Sequence, residues 1–254
     1  MKKYFNIAFF TIVIYLSFSC TQKNDNIPES TGQLYFHLHA NIDNSEVTSY
    51  NSVIQSANGR KISLSLAQMY ISHIELVKLD GSLYPVSGKV LLKDLENEDY
   101  LVGNVPAGNY RSVHFSVGLD SVSNTRTPVA SDTVFNRPEM WFASTAQPQG
   151  YVFLNVQGKI DTTAKANGSL AQMIPFVYKI GSNKNIKKVI MPDYIFTVLP
   201  NHQGYVHLLI NYMRIFDGID IRKADNLSVQ TMSDNSNTVT QQIVNNIPGM
   251  FRYE

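Results

Sequence analysis

His37 and His39 stand two residues apart in the run Leu34-Tyr35-Phe36-His37-Leu38-His39-Ala40. Apolar and polar residues alternate there, which predicts a half-buried strand with Leu34, Phe36 and Leu38 on one side and Tyr35, His37 and His39 on the other. Two imidazoles on one strand face are placed to ligate one metal ion, and imidazole suits copper, with soft thioethers favouring Cu(I). The alternative is a pair of surface histidines on a half-exposed strand. The remaining histidines carry weaker signals. His202 lies in the turn Pro200-Asn201-His202-Gln203-Gly204, and His73, His114 and His207 are explained by strand faces. The methionines are spread along the chain and read as core filler. Trp141, the sole tryptophan, sits in Pro138-Glu139-Met140-Trp141-Phe142, shortly before Gly150-Tyr151-Val152-Phe153-Leu154. Taken alone it reads as a core anchor as readily as a site residue, because tryptophan buries much area.

These residues are positioned by a chain that reads as short strands and turns. Ile62–Leu79 is a long apolar segment closed by Asp80-Gly81 and followed by Leu83–Val86, as in a hairpin. Further strands are expected at 90–95, 110–118, 151–157, 175–180, 189–191, 194–198, 205–213 and 227–231. Val113, Phe115 and Val117 alternate cleanly with Ser112, His114 and Ser116. The segment Pro106-Ala107-Gly108-Asn109 reads as a turn, and Val239–Ile247 as a short helix of weak pattern. Many short strands separated by turns predict an all-β fold, an antiparallel, Greek-key-like β-sandwich with few short helices. No internal repeat is read from the sequence.

Net charge is +1, so there is no electrostatic footprint for nucleic acid. Serine-hydrolase elbows, phosphate-cradling glycine loops, zinc-protease helices and Cys-x-x-Cys pairs are all missing from the sequence. Asp94, Glu96, Glu98 and Asp99 cluster, and a solvated loop accounts for them better than paired acid–base catalysis. The reading is therefore non-enzymatic.

The only cysteine, Cys20, follows a basic start (Met1, Lys2, Lys3), the apolar run Ile7–Leu16 and then Ser17-Phe18-Ser19. That order describes a secretory signal too short to span a bilayer. A cysteine directly after Ser19 resembles a bacterial lipoprotein signal, in the looser Ser-x-Ser-Cys form seen in lipoproteins of Bacteroidota. The expected organisation is a signal peptide over 1–19, a lipidated Cys20 with a flexible tether over 20–32, and one β-sandwich domain over 33–254. With Cys20 lipidated, no disulfide forms, and the membrane is met through the anchor alone. The implied location is the bacterial outer membrane, periplasmic or surface-exposed.

Four segments in order resemble one family. They are Ala67-Gln68-Met69-Tyr70-Ile71-Ser72-His73-Ile74-Glu75-Leu76; Val105-Pro106-Ala107-Gly108-Asn109-Tyr110 with Phe115 to Ser121 and Asn124; Met140-Trp141 with Gly150-Tyr151, Phe153-Leu154 and Gly158; and Phe176-Val177-Tyr178-Lys179-Ile180-Gly181. Together they are similar to the MbnP-like copper-binding domain family. The resemblance implies a β-rich fold and copper held by histidines with a kynurenine made by oxidising a tryptophan. It makes Trp141 the candidate kynurenine and implies a dihaem peroxidase-like partner of the MbnH type. It also assigns Lys179 to a position where the family has histidine, and an ammonium has no free lone pair.

Two functions follow. The first is a cell-envelope lipoprotein that binds copper for storage or relay through His37 and His39, with or without an oxidised Trp141. The second is a non-metal ligand-binding or adhesion module on the same scaffold, with Trp141, Phe142 and the tyrosine-rich strands as its contact surface.

Overall fold

The computed structural model describes residues 29–142, 150–231 and 238–254. Cys20, the signal segment and most of the expected tether lie outside the described residues. In chain order the strands are β1 (Thr31–Ile42), β2 (Ser45–Glu46), β3 (Val53–Gln55), β4 (Lys61–Lys78), β5 (Leu83–Pro85), β6 (Leu91–Lys93), β7 (Asp99–Pro106) and β8 (Gly108–Val117). After the helical turn α1 (Ser121–Asn124) come β9 (Trp141–Phe142), β10 (Gly150–Asp161), β11 (Met173–Gly181), β12 (Lys187–Ile190), β13 (Phe196–Val198) and β14 (Gln203–Asn211). The chain closes with β15 (Ser228–Thr231), α2 (Thr238–Asn246) and β16 (Phe251–Tyr253). The expected all-β sandwich forms, and the expected helix near the C-terminus is α2.

Two sheets face each other. The smaller runs β16-β14-β1-β2, with β7 also paired to β1; the larger runs β12-β8-β4-β10-β11-β15, with the short strands attached at its margins. The pairing is mixed. β1 lies parallel to β14, and β11 lies parallel to β15. An antiparallel reading from local turns misses such pairs, because partners joined by long connections leave no turn signal.

The period of two predicted for β1 is what the sandwich uses. Leu34, Phe36 and Leu38 are fully buried, while Tyr35, His37 and His39 stay partly open on the outer face. From the facing sheet Phe115 meets Phe36 at 6.1 Å between ring centroids, and Phe251 of β16 packs edge-on against Phe115 at 4.9 Å. This layer holds most of the buried apolar residues of the described chain. Burial of that kind is the main favourable term in the fold.

The larger sheet is also covered on its outer side. Tyr70, Phe135, Met140, Phe142, Tyr151 and Phe153 form a second apolar cluster there, with Tyr70 donating to the Val134 carbonyl at 3.2 Å. At the centre of this sheet β10 crosses β4 so closely that a Cβ on Gly158 would sit 1.9 Å from the Ser63 carbonyl oxygen, which only glycine avoids. The smaller sheet's outer face has no comparable lid of apolar residues among the described ones, and it carries the histidines.

Candidate metal centre

β1 is the centre of the smaller sheet. β14 runs along one edge of it, and β7 and β2 share the other edge. The parallel register with β14 places Tyr35 opposite Tyr205, and His37 opposite His207. The two tyrosine rings stack at 5.3 Å, and the two imidazoles lie tilted to each other with centroids 4.8 Å apart. His37 and His39 share their face as the sequence predicts, with rings 4.4 Å apart. One nitrogen from each of His37, His39 and His207 lies within 4.8 Å of the others. His37 and His39 are mostly covered, and His207 is half exposed.

Carboxylates from three other elements close around the rings. β7 begins opposite His37, so Asp99 Oδ1 reaches His37 Nδ1 at 2.5 Å. Glu46 of β2 reaches His39 Nδ1 at 3.1 Å. β16 pairs with β14, and just beyond it the Glu254 amide donates to the His207 carbonyl; its side chain then lies 3.2 Å from His207 Nδ1 and 3.7 Å from His39 Nε2. Glu98 sits between, 3.7 Å from His37 Nε2 and 3.9 Å from His39 Nδ1.

Glu98 is held there by the backbone. Its carbonyl accepts from the Leu38 amide at 2.9 Å. The loop before it is closed by Lys93, whose Nζ donates to the carbonyls of Asp94 and Asn97 while its side chain is fully buried. Burial pushes this ammonium down to about 8, against the opposing pull of Asp94 and Glu98. Tyr100 adds a second clasp, donating to the Asn97 carbonyl at 3.0 Å. The cluster Asp94, Glu96, Glu98 and Asp99 is thus a loop leading into β7 that turns two of its carboxylates onto the histidines. Sequence reasoning did not assign Glu98 and Asp99 to the site.

Sequence reasoning also missed His207, although a signal existed. Tyr205-Val206-His207-Leu208 repeats the spacing of Tyr35-Phe36-His37-Leu38, and the two runs pair in register.

The arrangement fits a metal ion. Donors bound to one ion at ~2.0–2.2 Å lie roughly 3–4 Å apart; the imidazole–carboxylate pairs here lie 2.5 to 3.9 Å apart, and the three imidazole nitrogens within 4.8 Å of one another. His37 also presents the usual outer partner, a carboxylate on the nitrogen turned away, which fixes the tautomer of a ligating ring. The donor set is nitrogen and oxygen, which suits a divalent first-row ion.

Trp141 is placed elsewhere. It lies on β9, which pairs with β10 of the larger sheet, and its ring packs edge-on against Tyr151 at 4.7 Å in the second apolar cluster. Lys179 lies on β11 opposite Asn155 of β10, four positions along that strand from Tyr151. The tryptophan and the lysine therefore belong to the larger sheet, and the three imidazoles to the smaller one. Phe142 is buried, so it does not offer the contact surface expected of it. His73 and His114 lie on β4 and β8, and His202 is in its turn bonded to the Pro200 carbonyl.

The fold and this face define a β-sandwich whose smaller sheet gathers imidazoles and carboxylates. Residues 31–240 match the MbnP family model, and the chain belongs to the MbnP family. Its structure is similar to that of MbnP from Methylosinus trichosporium, with a TM-score of 0.55 and 16% sequence identity over 80% of this chain and 82% of that one. At that identity the likeness carries the fold. Among curated proteins none matches.

Proposed function

We propose that this chain binds copper for storage or relay through His37, His39 and His207, and catalyses nothing itself. The observation that carries the reading is the parallel register that sets His207 beside the predicted His37/His39 pair, with a carboxylate against each ring. Membership of the MbnP family supports a copper-related role. The signal-like start and Cys20 support a lipid-anchored envelope protein, at the outer membrane and facing the periplasm or the outside.

Trp141 stands outside this donor set. Its oxidation to kynurenine by an MbnH-type partner would build a site on the larger sheet, where Lys179 replaces an imidazole with a cation. The imidazole cluster therefore supplies the copper ligands in this reading, and Trp141 serves the apolar cluster it packs in.

The test is copper retention. Protein loaded with Cu(II) and dialysed is expected to keep at least one ion per chain, and His39→Ala to lose it while unfolding at the same denaturant concentration. Equal retention by His39→Ala would reject this site.

A further inference from the structure

The geometry points to a two-ion centre in which His39 and Glu98 bridge the metals. This rests on the reading of the histidines as a metal site. His39 belongs to two separate groups of donors, one with His37 and His207 and one with Glu46 and Glu98. Its two ring nitrogens meet different carboxylates. Nε2 lies 3.7 Å from Glu254 Oε2, which is itself 3.2 Å from His207 Nδ1. Nδ1, across the ring, lies 3.1 Å from Glu46 Oε1 and 3.9 Å from Glu98 Oε1. Glu98 divides in the same way, its other oxygen Oε2 lying 3.7 Å from His37 Nε2.

The first ion would be held by His37, His39, His207 and a carboxylate. The second takes His39 Nδ1, Glu46 and Glu98, an oxygen-rich set suited to a hard or borderline divalent cation. In the metal-free ring one nitrogen carries the proton and the other a lone pair. In the tautomer with the proton on Nδ1, that N–H donates to the Glu46 carboxylate at 3.1 Å and the Nε2 lone pair faces away from it. Binding of a second ion at Nδ1 would release that proton to solvent and make His39 a bridging imidazolate. Exposed carboxylates on Glu46 and Glu98 keep the second position open to ions arriving from solution.

Cu(II) itself is the probe. Equilibrium dialysis counts bound copper, and electron paramagnetic resonance counts spins in the same samples. Two coppers per chain with a spin count well below two are expected, because an imidazolate couples the pair. Glu46→Gln should bind the second ion at least about tenfold more weakly and return a full one-spin signal from the first. One copper in the unaltered protein would overturn the second ion and leave the three-histidine reading standing. Two magnetically independent coppers, or two coupled coppers undiminished in Glu46→Gln, would overturn the bridge. No retained copper would overturn the metal reading and this inference together.

Discussion

His37 and His207 occupy the same register position on two parallel neighbours, and their rings lie 4.8 Å apart on the outer face of the smaller sheet. Because the pairing also aligns Tyr35 with Tyr205, the stacked tyrosines reinforce the register that brings the imidazoles together. A slip of one residue would turn every imidazole of one strand to the opposite face.

His207→Ala is expected to weaken copper binding at least about tenfold with stability changed by less than ~0.5 kcal/mol, since the side chain is half exposed. Titration with a competing chelator measures the first, and denaturant unfolding the second. Unchanged affinity would remove His207 from the donor set.

Trp141→Phe should cost about 1 kcal/mol, from the lost edge-on contact with Tyr151 and the smaller apolar area, and should leave copper affinity unchanged. The same two measurements check it. A fall in affinity would show that the tryptophan communicates with the metal.

Lys93→Met should destabilise by about 1–3 kcal/mol, because the carbonyls of Asp94 and Asn97 lose their buried donor. Loosening of that loop should also lower copper affinity through Glu98, whereas Leu92→Ala, next to it in β6, should not lower affinity. Isothermal titration of the two variants side by side decides whether Lys93 positions the carboxylate.

His114 gives a pH prediction. Burial and the neighbouring Lys188 ammonium lower its pKa, and Glu75, already bonded to Lys188 at 2.9 Å, opposes this only in part. The unfolded chain therefore takes up this proton before the folded one does. The contribution is fully present above the unfolded histidine value of about 6.5 and is lost as pH falls through the lower folded value. His114→Gln should flatten the decline of stability between about pH 7 and 5. Unfolding midpoints across that range measure it, and parallel curves for the two proteins would show that His114 is not the group responsible.

The sequence by itself determined which face of β1 is wet and which is buried, because strand alternation is a local property of consecutive residues. For the same reason it placed His37 and His39 together, located most strands, and marked α2. β7 escaped notice: it opens with Asp99, carries Gly103 at φ 152° and shifts register against Leu34 and Tyr35, so its alternation is broken. β16 escaped because it is only three residues long. The tertiary structure alone decided that β14 lies parallel to β1, that Glu46, Glu98, Asp99 and Glu254 arrive from separate elements, and that Trp141 belongs to the other sheet. Those are pairings between distant segments, set by how two sheets share one core, and the alternation within each strand is equally compatible with other partners.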